Sequence, residues 1–429
     1  MSILKTDFNN PYKRLYYLLI LITLLSGCMT VNNAFINSIV FIFWEYIFII
    51  ISFFCLRRNG YEIFIKPFKI DQLTSILLFL WMSSTTISFF CSPYDLYLLK
   101  PAILRYVEVP MHVLFCFFCF LIFSELKENK YYFFTAIPLT VLLVIAAFFF
   151  SWFFSPKYLS HPPSIWFESP PMNGHIRHTG YHITAGLAVL LPMVTFFHPD
   201  RTKLSTLLIL IISLTSHWAF LFWTGGRGAI ISVFAASLFV AAIAYRDNTN
   251  FRFYILIALS TAIVGFVIAE LYSVFFWNGV LSSLDRMNIS SGINKLSTGR
   301  MEFWKTSLHS LKQSPFFGLG PQGYYYMPNR VFGLHPHNFI IQFLVEWGLI
   351  GTLLILAVLF RVLKKGFKNL ILGSKSKNNQ TRLIGASIVV ALTIHALTDG
   401  TYYHGQPSFY LAIGYASMLI PFYHQKDMK

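Results

Sequence analysis

Two histidines and an asparagine lie together in the segment His335-Pro336-His337-Asn338. The pKa of histidine lies near neutrality, so a neutral imidazole can accept a proton from a hydroxyl group and act as a general base. Pro336 favours a helix start at its own position, and we therefore expect His337 and Asn338 in the first turn of the next helix. The alternative for a single boundary histidine is a purely structural role as a helix cap.

Two arginines stand beside glycines at positions suited to binding an anion. Arg227 directly precedes an apolar run and is flanked by Gly226 and Gly228, and Arg300 opens a segment with apolar residues at helical spacing. A helix N-terminus presents unpaired N–H groups and partial positive charge, to which arginine adds a fixed charge. The pattern predicts phosphate binding, and the competing interpretation is that both arginines bind lipid headgroups.

A further polar cluster runs from His175 to His182, with three histidines and Arg177 in eight residues. We predict that Arg177 and His178 bind sugar hydroxyls or a diphosphate, and plain packing at the membrane interface is the alternative. Zinc binding is disfavoured because neither a cysteine nor a carboxylate joins the cluster. The tyrosine and histidine side chains at 399–404 could stack against sugar faces, but an interfacial aromatic belt is the favoured interpretation.

The composition shows what kind of protein carries these residues. The chain has 429 residues, of which 56% are hydrophobic and 12% charged, whereas soluble domains carry roughly 25% charged residues. This excludes a soluble enzyme, a disordered chain and an outer-membrane barrel with alternating strands. We predict an all-α polytopic membrane protein with a single transmembrane domain over 1–429. The net charge is +16, but the basic residues are spread over short loops, so no nucleic acid is expected as a partner.

Twelve apolar runs are long enough to cross about 30 Å of hydrocarbon. They lie near 15–31, 34–56, 71–91, 103–123, 131–154, 181–197, 204–223, 228–245, 251–276, 337–360, 383–399 and 406–423. With a cytoplasmic N-terminus, 22 of the 33 Lys and Arg residues fall on the cytoplasmic side, as the positive-inside rule requires. We therefore predict a multi-pass membrane protein with both termini in the cytoplasm. The sequence Leu25-Ser26-Gly27-Cys28 leaves one alternative open, a lipoprotein processing site that would remove the first span.

The candidate residues all fall on the periplasmic side of this topology. One long periplasmic loop, 277–336, separates spans 9 and 10 and is expected to carry part of a periplasmic active site. Within it, Tyr324 is a candidate platform for a sugar ring. Glu346 lies inside span 10, where an acid is costly and usually paired or functional. It is two and a half turns below His337, too far to orient that imidazole directly.

The stretch HNFIIQFLVEWGLIG at 337–351 resembles the signature of the O-antigen ligase and O-antigen polymerase superfamily of bacterial membrane glycosyltransferases. The segments GRMEFW at 299–304 and SPFFGLG at 314–320 look like the family's approach to its histidine. The segment GRGA at 226–229 is similar to the family's Arg-Gly element. The resemblance covers about 225–360 in detail.

The resemblance implies a glycosyltransferase whose donor is a glycan linked to undecaprenyl diphosphate. It implies that His337 is the general base and that Arg227 and Arg300 bind the diphosphate. His335 and Asn338, beside the base, join Arg177, His178 and Tyr324 as candidates for substrate binding. No cofactor is expected. No acidic pair suited to a metal-bound diphosphate lies near these residues, so we predict a metal-independent enzyme without a metal site.

We predict an O-antigen ligase that transfers the glycan to a hydroxyl of lipid A-core with inversion. The arginine-rich site suits this phosphorylated acceptor, and membrane lipids are its other partners. An O-antigen polymerase, which joins lipid-linked repeat units, shares the donor and the motif and is the first alternative. A protein O-oligosaccharyltransferase is the second alternative. A non-enzymatic carrier of lipid-linked oligosaccharides is disfavoured because the polar residues gather on one side rather than through the midplane.

Overall fold

Helices make up the regular structure of this chain. The computed structural model describes residues 10–28, 34–60, 71–126, 130–160, 162–197, 203–247, 250–285, 299–331, 333, 335–373 and 378–421. No strand is found among these residues. The predicted all-α class is therefore confirmed for the described part of the chain. Within the long loop predicted at 277–336, the segment 286–298 and residues 332 and 334 lie outside the described residues.

Thirteen helices of eleven or more residues occur in the described ranges. They are α1 (Pro11–Cys28), α2 (Ala34–Arg58), α3 (Gln72–Phe90), α4 (Lys100–Glu125), α5 (Ala136–Phe154), α6 (Ile176–Thr195), α7 (Leu204–Trp223), α8 (Arg227–Arg246), α9 (Phe251–Leu271), α10 (Arg300–Ser310), α11 (Phe339–Leu372), α12 (Asn379–Ala396) and α13 (Gly405–Met418). Shorter helical turns cover Leu96–Leu98, Lys130–Thr135, Pro156–Leu159, Pro163–Glu168, Val280–Asp285, Leu311–Gln313 and Gly323–Tyr326.

Each of the twelve predicted apolar runs coincides with one of these helices, and α10 lies in the predicted loop. Eight of the described helices are long and apolar enough to cross a membrane, namely α2, α3, α4, α5, α7, α8, α9 and α11. Of the twelve helices that coincide with predicted apolar runs, the other four are α1, α6, α12 and α13, and that these four cross the membrane stays a prediction. In α13 all fourteen residues are buried by other helices. A helix covered on all sides by protein can carry small and polar residues that a lipid-exposed helix cannot.

The outer helices present large apolar side chains to the surroundings. Phe79 of α3 is 69% exposed, Leu238 of α8 is 72% exposed and Leu271 of α9 is 75% exposed. At the centre, Gly385 of α12 packs so closely on α13 that an added Cβ would lie 2.7 Å from the carbonyl oxygen of Gly414. Apolar exposure outside and close packing of small residues inside are the pattern expected of a helical membrane protein.

Helix α11 is broken at Gly348, where φ is +63°. The chain that follows α10 occupies the break. The N–H of Leu319 donates to the carbonyl of Val345 at 2.7 Å, and the N–H of Leu349 donates to the carbonyl of Pro315 at 2.9 Å. A Cβ at Gly348 would overlap the carbonyl of Phe316. The glycines of the SPFFGLG and EWGLIG segments thus permit the two backbones to touch, and this contact holds the segment 315–323 against α11.

Candidate active site

The candidate base, His337, is hydrogen-bonded to a carboxylate from another part of the chain. Its Nδ1 donates to Oδ1 of Asp399 at 2.8 Å. Asp399 follows the end of α12, is only 5% exposed, and also accepts from the N–H of Gly400 at 2.9 Å. A carboxylate that binds Nδ1–H selects the imidazole tautomer in which Nε2 carries the lone pair. His337 and Asp399 therefore have the arrangement of a base and its orienting acid.

The backbone of His337 has an unusual conformation. Its φ is +55°, which is uncommon for any residue other than glycine and costs free energy unless its surroundings maintain it. The neighbouring His335 contributes to this, because its Nδ1 accepts the N–H of His337 at 3.2 Å. His335 is 4% exposed and its ring lies 4.2 Å from that of His337, centre to centre. The two predicted histidines are therefore in contact, and His335 helps to maintain the backbone conformation of His337.

Asn338 is the N-cap of α11. Its side-chain oxygen accepts the N–H groups of Ile340 and Ile341 at 3.0 and 3.2 Å, while its Nδ2 donates to the carbonyl of Leu397 at 3.0 Å. The prediction that His337 and Asn338 lie in the first helical turn is therefore wrong, because the helix begins at Phe339. The asparagine ties the start of α11 to the end of α12 and so brings His337 next to Asp399.

Helix α10 covers one side of the base. The ring of Phe303 stacks on that of His337 at 5.7 Å with an angle of 28°. The indole Nε1 of Trp304 donates to the carbonyl of Pro336 at 2.9 Å. The GRMEFW segment thus contacts the HPHN segment directly, as expected if the predicted loop carries part of the site.

Three predicted arginines come from separate segments; two of them act on this pair and the third acts on one of those two. Arg177 is the second residue of α6, Arg227 the first of α8 and Arg300 the first of α10. The charges of Arg177 and Arg300 both act on Asp399, and that of Arg227 acts on Arg300. Each arginine stands at a helix N-terminus, where backbone N–H groups also favour an anion. The folded chain therefore assembles a strongly cationic surface around a single buried carboxylate.

This environment sets the protonation of both partners. Burial lowers the pKa of His337, the bond to Asp399 opposes that effect, and the charges of Arg177 and Arg300 lower the pKa further. Burial alone would raise the pKa of Asp399, but the hydrogen bond from His337 and the two arginines hold it well below its ordinary range. At neutral pH the pair therefore consists of an ionised aspartate and a neutral histidine that can accept a proton.

The predicted cluster at 175–182 reaches the same place. The ring of His178 lies 4.6 Å from that of His404, and His404 in turn lies 5.2 Å from His335. Burial lowers the pKa of both His335 and His404 well below the ordinary range. His175 caps α6 by accepting the N–H of Arg177 at 3.1 Å. Burial also lowers the pKa of His175 to about 3 and that of His178 to about 4. The cluster therefore continues the polar site, and these histidines are neutral at physiological pH.

His335, His337 and Asp399 have ligand atoms within 4.8 Å of one another, which is a spacing that a metal ion can use. In the structure the same groups bind each other instead. His337 donates through Nδ1 to Asp399 and through its backbone N–H to Nδ1 of His335. This arrangement is that of a hydrogen-bonded base with its orienting groups. Metal independence stays a prediction.

Tyr324 occupies a different environment from the one expected of a sugar platform. Its ring is fully buried, packs near Leu319, Met327 and Val345, and its hydroxyl donates to the carbonyl of Val331 at 3.0 Å. The structure therefore shows no ring face on which a sugar can stack. The ring instead supports the segment that fills the break in α11.

The sequence pattern did not single out Asp399 or His404 as site residues. The pattern of the stretch 399–404 favours an interfacial belt, but Asp399, Tyr403 and His404 are 5%, 6% and 9% exposed and face the protein interior. One signal was available. Under the predicted topology, Asp399 ends an apolar run on the same side of the membrane as His337.

Comparison with known proteins agrees with this site. Residues 207–356 match the family model described as O-Antigen ligase. The matched segment contains Arg227, Arg300 and His337, while Arg177 and Asp399 lie outside it. No curated protein matches the sequence. The match confirms the resemblance to the O-antigen ligase and polymerase superfamily that the sequence showed.

Proposed function

We propose that this protein is an O-antigen ligase of the bacterial inner membrane, with its active site on the periplasmic face. It transfers a glycan from undecaprenyl diphosphate to a hydroxyl group of lipid A-core. The observation that carries this proposal is the contact between His337 and Asp399 beside Arg177 and Arg300, with Arg227 acting on Arg300. A neutral base next to a cationic surface is what glycosyl transfer from a diphosphate requires.

The reaction begins when Nε2 of His337 takes the proton from the hydroxyl group of the acceptor. The hydroxyl oxygen forms a bond with the anomeric carbon of the glycan, and the bond from that carbon to the diphosphate oxygen breaks. Asp399 holds the imidazole in the required tautomer and stabilises the imidazolium that forms. The proton then returns to solvent, and the free base is restored for the next transfer.

The arginines bind the donor and its leaving group. Arg227 and Arg300 contact the diphosphate and stabilise the charge that grows on it as the anomeric bond breaks. Arg177 adds a third cation. The charges of Arg177 and Arg300 act on Asp399 and that of Arg227 acts on Arg300, so three guanidinium groups and one carboxylate leave an excess of two positive charges for the anion. Attack from the side opposite the diphosphate inverts the anomeric carbon. The step needs no metal ion, and activity should survive treatment with EDTA.

The acceptor distinguishes a ligase from a polymerase. The excess positive charge favours a phosphorylated acceptor, and lipid A-core is one. The acceptor of a polymerase, a second lipid-linked glycan, carries phosphate only in its own diphosphate. An orienting acid bonded to a neutral histidine is a catalytic arrangement and has no role in a passive carrier. Product formation by the purified protein without an energy source would exclude the carrier.

A deletion strain complemented with wild type or His337→Ala tests the proposal. We expect the variant to show bare lipid A-core on a gel of surface lipopolysaccharide, while long glycans accumulate on undecaprenyl diphosphate. If the lipid A-core of the variant instead carries single repeat units and the ladder is absent, the protein is a polymerase rather than a ligase. If the amount of ladder made by His337→Ala stays within about tenfold of the wild-type amount, His337 is not the base.

A further inference from the structure

A group of charged side chains is buried behind the active site, between α4 and α11. Nε of Arg105 lies 3.4 Å from Oε2 of Glu346, and Nη1 lies 3.3 Å from Oε2 of Glu108. The three residues are at most 2% exposed. Charges inside an apolar helix bundle are costly and are maintained where they are paired and have a function. Glu346 is the span acid that the sequence placed too far below His337 to touch it.

The remaining donors of Arg105 reach the loop that carries Asp399. Nη2 donates to the carbonyl of Tyr402 at 3.1 Å, and Nη1 donates to the carbonyl of Tyr403 at 3.4 Å. The guanidinium also lies 5.1 Å from the centre of the Tyr403 ring. Both carbonyls belong to the turn between Asp399 and the start of α13. One side chain of α4 therefore holds the backbone next to the orienting acid.

Glu346 holds the other end of Tyr403. Its Oε1 accepts the N–H of Gln322 at 3.0 Å and Nε2 of Gln342 at 2.7 Å. Oε1 of Gln322 then accepts the hydroxyl of Tyr403 at 2.7 Å. The ion pair of Arg105 and Glu346 thus fixes Tyr403 at its carbonyl and at its hydroxyl.

The ring of Tyr403 transmits this constraint to the base. It stacks on His335 with ring centres 4.5 Å apart and an angle of 27°. A Cβ added to Gly400 would also overlap the His335 ring, which shows how tightly that ring is held. His335 in turn accepts the N–H of His337, whose φ of +55° needs such support. A continuous series of contacts therefore joins Arg105 to His337.

We propose that Arg105, paired with Glu346, is a positioning residue that sets the geometry of His337 and Asp399. The inference rests on the proposed function, because it assigns a role within that same reaction. Arg105 acts on two sides of the site, through the turn after Asp399 and through Tyr403 and His335. The arginines proposed to bind the donor lie on α6, α8 and α10. Loss of Arg105 should therefore lower kcat and leave the KM for the donor nearly unchanged.

Arg105→Lys is the direct test. Lysine keeps the positive charge between Glu108 and Glu346 but cannot bind both carbonyls and lie flat against Tyr403. We expect kcat for glycan transfer to fall about 10- to 100-fold, since small displacements of a catalytic group have effects of this size. The KM for the lipid-linked donor should stay within about threefold of wild type. Purified proteins in detergent, with donor and acceptor supplied, give both constants.

Arg382→Lys is a matched control. Arg382 is another fully buried arginine that donates to two backbone carbonyls, those of Ile420 and Pro421, at 2.9 and 2.7 Å. It lies at the opposite end of α12 from Asp399. We expect Arg382→Lys to lower the melting temperature and to leave kcat of the folded protein unchanged.

A second pair of variants covers the case in which Arg105→Lys does not fold. Tyr403→Leu removes the ring on which His335 stacks, whereas Tyr403→Phe keeps the ring and loses only the bond to Gln322. The proposal requires a larger fall in kcat for Tyr403→Leu than for Tyr403→Phe. Equal kcat values for these two variants, or a folded Arg105→Lys with wild-type kcat or with a change in KM alone, would overturn it. A wild-type protein without transferase activity would instead overturn the proposed function.

Discussion

Nδ1 of His337 lies 2.8 Å from Oδ1 of Asp399, although 62 residues separate the two in the chain. The pair forms where α11 begins and α12 ends, and the Asn338 side chain joins these two points by capping α11 and binding the carbonyl of Leu397. Because both helix ends are fixed to each other, the imidazole is held in one tautomer before substrate binds. Such preorganisation lowers the barrier to proton transfer.

Asp399→Asn should abolish most activity while the protein stays folded. The amide has nearly the shape of the carboxylate, but it can present N–H to the imidazole and select the wrong tautomer, and it cannot stabilise the imidazolium. We expect kcat to fall about 10²- to 10⁴-fold with little change in KM. Steady-state transfer assays on the purified variant measure both. A kcat within about threefold of wild type would show that Asp399 does not orient the base.

The acid limb of the pH profile should report the pKa of His337. Since burial and two arginines lower that pKa, kcat/KM should remain high below pH 6.5, the ordinary pKa of histidine, and fall only at more acidic pH. Arg300→Gln removes a nearby cation, so the protonated form becomes less unfavourable and the limb should move to higher pH. Arg246→Gln is the control, because Arg246 pairs with Asp247 at the end of α8 remote from Arg227. A limb that moves equally in both variants would contradict the assignment.

Arg227→Gln should weaken the use of the diphosphate donor. Removing one cation from the proposed leaving-group site should reduce kcat/KM about 10²- to 10³-fold, because the charge on the diphosphate is largest in the transition state. Arg330→Gln offers a comparison within the predicted loop, since Arg330 binds the carbonyl and ring of Tyr325 instead. Transfer rates from a synthetic lipid diphosphate donor give the values. Equal effects of the two variants would contradict a specific role for Arg227.

Gly348→Ala should destabilise the whole protein. Alanine is disfavoured at φ +63°, and its Cβ would overlap the carbonyl of Phe316. Gly60→Ala is the comparison, because Gly60 also has a positive φ, +74°, but no atom of the described residues lies within 4 Å of an added Cβ. With φ +63° and ψ −168°, Gly348 lies in a region that is essentially restricted to glycine, where the backbone penalty is about 1–3 kcal/mol. Gly348→Ala, which adds the overlap to this penalty, should therefore lower the melting temperature clearly more than Gly60→Ala. Thermal unfolding in detergent checks this, and equal shifts would show that the break in α11 tolerates a side chain.

Local patterns in the sequence were sufficient for several features. The apolar runs coincide with twelve of the described helices, because a run of about 20 apolar residues in a membrane has to form a helix to satisfy its own backbone. The HNFIIQFLVEWGLIG stretch and the arginine-glycine elements indicated the superfamily that the family model confirms. These signals are contained in short segments, so neighbouring residues alone carry them.

Only the tertiary structure showed how distant segments meet. Asp399 as the partner of His337, the buried Tyr324, the ion pair of Arg105 with Glu346 and the segment inserted at Gly348 all depend on contacts between separate helices. The placement of Asn338 as a cap rather than a helical residue depends on the end of α12. Periodicity and motifs indicate the structure of one segment. The partner of a buried polar side chain depends instead on packing, which brings residues that are far apart in the chain to within about 3 Å of each other.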